Sequence, residues 1–313
     1  MRVNASVPAS ELIAIGTELR SLGGDKEFFA AHDFRATRFH VVVPKCQVLE
    51  LAYDGVFAGT SYRASSVHFS GPTFDALVNR DKPLKAFVKS PLMVNEALAA
   101  IRQPLRIDSL FVTNGSIRYC EQVVAGANPG VLTFAAVSLS ATGIANRSET
   151  SKAIALQAQG KLMDAGMMKV QMSIPIMFTN FSLHYAGSLG AMDLTNLDAF
   201  LDVDAHTRIT SGAVKEADFD INVTAGQARG QVRGSYQNLA ISFLDKETGA
   251  ANGIEDHVTS FLANLLKIRS SNTPEAPGLA KEGEVNYTRK PGEEFQQFLW
   301  FALRTGVLDI ISH

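Results

Sequence analysis

The stretch KEADFDINVTAGQARGQVRGSYQ, residues 215–237, decides the fold. Ala217, Phe219, Ile221 and Val223 alternate with Glu216, Asp218, Asp220 and Asn222. Beyond Thr224, Ala225 and Gly226 the alternation resumes, with Ala228, Gly230, Val232, Gly234 and Tyr236 set against Arg229, Gln231, Arg233 and Ser235. Successive side chains of an extended chain point to opposite faces, so each run has one apolar and one wet face. Such alternation belongs to antiparallel sheet, because the parallel strands of βαβ proteins are buried on both sides and read as continuous apolar runs. Gly226, Gly230 and Gly234 are expected on one face, where a missing side chain permits curvature or close backbone approach.

The same period continues toward the amino terminus. AIALQAQGKLM places Ile154, Leu156 and Leu162 opposite Gln157, Gln159 and Lys161. MMKVQMSIPI places Met168, Val170, Met172, Ile174 and Ile176 opposite Lys169, Gln171 and Ser173, and FSLHYAGS places Phe181, Leu183 and Tyr185 opposite Ser182 and His184. In QPLRIDSLFVTNGSIRYCEQ, Asn114 and Gly115 signal a hairpin turn. Extended runs are also expected in FHVVVPKCQVLELAY and TSYRASSVHFSG.

Helical signals are few. SELIAIGTELRSL carries Leu12, Ile15 and Leu19 at helical spacing, DKEFFAAH suggests one further turn, and a helical stretch is expected between Pro83 and Ile101. LTNLDAFL has Thr195 and Asp198 at capping-box spacing, and GIEDHVTSFLANLLKIRS has an apolar stripe with acidic residues first and basic ones last. EEFQQFLWFALRTG is expected to end near Gly306, with Trp300 packed among Phe295, Phe298 and Phe301. The organisation read from these signals is a mixed α/β part over residues 1–103, continuous with an antiparallel β region over 104–250. Carboxy-terminal helices over 251–313 are expected to be joined by the Pro- and Gly-rich stretch SSNTPEAPGLAKEGEVNYTRKPGEE.

An amphipathic sheet must bury its apolar face against another layer, and these helices are too few to cover so many strands. The sheet therefore packs on itself as a sandwich, closes as a barrel, or curls into a groove completed by a ligand with long hydrocarbon chains. The 313 residues, 46% hydrophobic, are ample for a core. A net charge of -2 gives no electrostatic reason to expect nucleic acid. No run approaches the roughly 18 apolar residues of a membrane helix, and the opening MRVNASVPASEL lacks the pattern of a signal peptide.

Catalytic and metal-binding constellations are not apparent. Asp202, Asp204 and His206 would share one face of a strand, but Leu201, Val203 and Ala205 alternate with them, so they read as a solvated face; Asp218 and Asp220 read the same way. The histidines form no HExxH or HxH group, no nucleophile elbow, P-loop or dinucleotide fingerprint occurs, and Cys46 and Cys120 are far apart without a CxxC. No enzyme active site, metal or cofactor is expected.

The order RIDSLFVTNGSIRYCE, PGVLTFAAVSLSATGI, ITSGAVKEADFDINVTAGQARGQVRGSYQNLAISFLDK and VNYTRKPGEEFQQFLWFALRTGV resembles the carboxy-terminal region of long AsmA-like bacterial envelope proteins, over about residues 40 to 311. The resemblance implies an elongated, curved sheet with an apolar groove. It also implies a periplasm-facing location, anchorage by an inner-membrane helix that is not in this sequence, and a role in phospholipid transport and outer-membrane biogenesis, with membrane-protein partners at either side. If the sheet forms such a groove, its lining is Leu156, Met168, Val170, Met172, Ile174, Leu183, Tyr185, Phe219, Ile221, Val223 and Val232. The alternative is a self-packed structural or adhesive β-scaffold, in which the same residues are ordinary core.

Overall fold

The period-two segments all adopt extended backbone and join a single sheet. The computed structural model describes residues 1–83, 92–124, 126–147, 153–176, 180–244, 251–252, 268–273 and 280–312. In chain order the elements begin with β1 (Arg2–Ser6), β2 (Glu11–Arg20), α1 (Asp25–Ala30), β3 (Thr37–Leu49), α2 (Tyr53–Ala58), β4 (Tyr62–Ser70), β5 (Thr73–Asn79) and α3 (Val94–Ala99). The long meander follows: β6 (Leu105–Gln122), β7 (Gly130–Ala145), β8 (Ala153–Leu162), β9 (Gly166–Pro175), β10 (Leu183–Leu189) and β11 (Met192–Asp193). After a 3₁₀ turn (Leu194–Leu197) come α4 (Asp198–Asp204), β12 (Thr207–Thr224), β13 (Gln227–Leu244), β14 (Ala251–Asn252), β15 (Gly283–Thr288) and α5 (Phe295–Ile311).

Among the described residues the sheet holds 15 strands, in the main order β1-β2-β3-β4-β6-β7-β8-β9-β10-β12-β13-β14, with β5, β11 and β15 joining at its sides. It is curved and is not a closed barrel. The expectation of a wholly antiparallel sheet needs one correction, because β6 runs parallel to β4 over Leu105–Thr113 and parallel to β5 over Ser116–Gln122. Asn114 and Gly115 lie at the change of partner and make no hairpin. Asn114 takes a positive φ of 52°, the register with β7 shifts on either side of Gly115, and a bulge lets one long strand pass from one neighbour to the next. The two-residue turn at Ala225 and Gly226, both with positive φ, joins β12 to β13 instead. Gly226 thus lies in a turn, while Gly230 and Gly234 sit within β13.

Three further expectations change. SELIAIGTELRSL forms strand β2, paired to β1 and β3. Its β-branched Ile13 and Ile15 suit a pleated surface, and a short helix with nothing to dock on gains too little to form. α5 runs through Gly306 to Ile311, so Gly306 is a helix-interior contact and not a stop. Trp300 is 37% exposed on its outer side. Within the stretch expected to be a loop, residues 283–288 form β15 and pair with β13, so the carboxy-terminal part is a strand plus a helix seated on the sheet. The helix expected over residues 253–270 falls mostly outside the described residues, as does the first half of the one expected between Pro83 and Ile101.

Candidate functional site

Following the register across the sheet brings together residues distant in sequence. One row of directly opposed positions runs Ala5, Leu12, Val48, Val67, Leu110, Ala141, Leu156, Met172, Tyr185, Ile221, Gly230, Val285. The next row on the same face runs Val3, Ala14, Cys46, Phe69, Val112, Leu139, Ala158, Val170, Gly187, Phe219, Val232, Gly283. Both rows cross twelve strands without a polar side chain other than the Tyr185 hydroxyl and the Cys46 thiol. At the usual strand spacing each is roughly 50 Å long. The row between them on the opposite face, from Asn4 through Gln47, His68, Gln157, Gln171 and Asp220 to Glu284, is largely polar.

All eleven sequence-predicted lining residues fall on this apolar face. Leu156, Met172, Tyr185 and Ile221 belong to the first row, and Val170, Phe219 and Val232 to the second. Ile174 lies beside Ile154, Leu183 beside Val223, and Met168 opposite Leu189. What sequence reading missed is the amino-terminal half of both rows. Continuous apolar runs such as Val41-Val42-Val43 and Pro44 mask the alternation there, and β2 also satisfies a helical spacing.

Cover over the face is uneven. Met172, Ile174, Leu183, Tyr185, Phe219, Ile221, Val223 and Val232 are buried, whereas Leu156, Met168 and Val170 are half-buried. The difference comes from α5, which turns Phe298, Ala302, Gly306 and Ile310, four residues apart, onto β13 and β15. Small residues allow close contact: a side chain on Gly283 would place its Cβ 1.9 Å from the Gly306 carbonyl oxygen, and one on Gly306 would meet Val232 at 2.6 Å and Val285 at 2.7 Å. Phe181 meets Phe298 edge to face at 5.0 Å, and the buried Tyr185 hydroxyl donates to the Leu299 carbonyl at 3.3 Å. Burial holds the Tyr185 phenol well above its ordinary range, so it stays a neutral donor. Met93, which precedes α3, and Val94 and Leu98 of α3 add to the same cluster. Toward β1 this cover ends. Ala14, Cys46, Phe69, Val112, Leu139 and Ala158 of the second row are half-buried and Val3 is 49% exposed, although Val67 and Ala141 of the first row are buried.

The carboxylates singled out in sequence have a different setting from the one expected. Asp202 and Asp204 lie on α4, not on a strand. Asp202 pairs with Arg208, whereas Asp204 is buried and shares the Arg80 guanidinium with Glu121, tying α4 to β6. Burial, reinforced by the neighbouring Glu121 charge, pushes the Asp204 carboxyl up to about 6. Burial also works to raise Glu121, but hydrogen bonds from Asp204 and Tyr119 and the Arg80 charge outweigh it and hold Glu121 below its ordinary value. Below about pH 6 the pair therefore holds one proton, on Asp204. Asp218 and Asp220 are exposed beside Arg233 and His184, as their wet face predicts.

Among the described residues no group of three or more His, Cys, Asp or Glu converges as a metal site, and no helix is long and apolar enough to cross a membrane. No protein-family model and no curated protein matches the chain.

Proposed function

We propose that this chain is a non-enzymatic, lipid-handling protein of the bacterial cell envelope, related to the AsmA-like proteins, whose apolar sheet face takes phospholipid acyl chains. In this reading it faces the periplasm and contributes to lipid transport and outer-membrane biogenesis with membrane-protein partners. The observation that carries the reading is the pair of unbroken apolar rows, which continue toward β1 past the residues that α5 and its neighbours bury. A contiguous apolar strip of this extent on a soluble surface marks an interaction site. Its two-row width and its direction across the strands suit extended hydrocarbon chains, and flexible Met168 and Met172 suit mobile ones.

A second reading, a self-packed β-scaffold without lipid, draws on the eight predicted residues that α5 and its neighbours already bury. A photoreactive residue at Val170 separates the two, combined with lipid mass spectrometry of gently purified protein. Phospholipid crosslinked at Val170 and absent from a probe at Val223 supports the lipid reading. No co-purifying phospholipid and no crosslink sinks it. Val170→Asp adds a second readout, since a lipid-covered position should fold and lose lipid, whereas a dry core position should lose several kcal/mol of stability.

A further inference from the structure

The opposite, polar face of the sheet holds a depression of about 850 Å³. Its floor is the backbone of β6 to β13, and its walls are side chains of the polar rows on either side. Arg233 lines it, and no residue of α5 does, which places it on the side away from the helix. Crossing seven strands, it is roughly 30 Å long.

The chemistry of its walls is specific. In the middle stand Gln157 directly opposite Gln171, and Gln159 directly opposite Lys169, with Ser140 and Ser138 on the next strand. The amides of Gln157, Gln159 and Gln171 are exposed and hydrogen-bond no other group among the described residues. The charges toward β13 are already matched: Arg233 pairs with Asp218 at 3.2 Å, and His184 meets Asp220 at 3.0 Å. Lys169 and Arg233 balance Asp218 and Asp220, so the depression attracts neither a polyanion nor a polycation. At the other end Phe111 lies half-buried on this polar face, stacked on His68 with ring centroids 4.9 Å apart. A row of free amides and hydroxyls beside an aromatic ring recognises polyhydroxylated rings, where amides bond the hydroxyls and the aromatic face covers apolar C–H groups.

We propose that this depression binds a linear, uncharged, β-linked glycan laid across the strands. The pyranose repeat of such a chain is close to the strand spacing of about 4.8 Å, so successive sugars meet successive strands. The site is independent of the lipid reading, which concerns the other face.

The test is calorimetric titration of the full chain with cellohexaose and with chitohexaose, with dextran, a flexible α-linked glucan, as control. The proposal expects saturable binding of at least one β-linked hexasaccharide and none of dextran. Because the glutamines are exposed, the double variant Gln157→Ala/Gln171→Ala should keep the wild-type circular dichroism spectrum while binding about tenfold more weakly or worse. Phe111→Ala should weaken binding as well, and Gln47→Ala, on the same face but outside the depression, should not. The proposal is overturned if neither hexasaccharide binds saturably, if dextran binds equally, or if the double variant binds like wild type.

Discussion

The two ends of the apolar face carry the same residue pattern and meet different fates. At β12, β13 and β15 the rows are dry: Ile221 and Phe298 are 0% exposed, and α5 approaches so closely that Gly283 and Gly306 touch backbone to backbone. At β1 and β2 the face lies beyond α5, and Val3 and Leu19 stay exposed at 49% and 67%. Alternation in a strand therefore specifies a face but not its cover. Cover depends on whether a later segment of chain has the length, the small-residue stripe and the connection to reach that face. Here β15 seats α5 on β13, the Glu294 cap of the helix accepts a hydrogen bond from Thr37 of β3, and β1 and β2 lie beyond it.

The sharpest way to break the contrast is to empty the covered end. Phe298→Ala should destabilise the protein by about 3–5 kcal/mol, because a large side chain is removed from a site with little freedom to collapse. Urea unfolding gives the number, and a loss below about 1 kcal/mol would mean that α5 is loosely held. Overfilling the same contact should have a smaller effect. Gly306→Ala pushes a Cβ against Val232 and Val285 and should cost about 1–3 kcal/mol while leaving the far end of the sheet intact by hydrogen exchange.

The junction between the ends is tied by Arg80 and the buried carboxylates of Asp204 and Glu121, and it predicts a pH dependence. Because Asp204 is raised to about 6, the folded chain holds that proton more tightly than the unfolded one. This contribution is fully present below the ordinary aspartate value and is lost as pH rises through about 6. Asp204→Asn should therefore flatten the change in melting temperature between pH 4 and pH 7 relative to wild type. Parallel profiles for the two proteins would place the proton elsewhere. Least of all, Val3→Ala at the open end should change stability by no more than about 0.5 kcal/mol. A larger loss there would show that something covers β1 in solution.

Legibility in the sequence tracked how far each signal is local. Glu216–Val223, Ala228–Tyr236 and Met168–Ile174 announced their faces outright, and all eleven residues taken from such runs lie on one side of the sheet. Leu12, Val48, Val67 and Leu110 did not, because β2 fits a helical spacing and β3 is apolar on consecutive residues around Pro44. Asn114 and Gly115 carry a strong turn signal, yet they form a bulge, since β6 gains more by passing from β4 to β5 than by folding back. Asp204 read as a wet strand position because its partners, Arg80 and Glu121, are 124 and 83 positions away in the chain.

By itself the sequence determined that this is a one-sided β-sheet protein, since the pleat fixes a period of two and any chain with that period must present an apolar face. The tertiary structure alone decided the rest. Register aligned short apolar runs into two rows across twelve strands, and α5, with α3 beside it, covered part of those rows and left the rest open. Both outcomes depend on contacts between segments tens of residues apart or more, where local propensity has no reach.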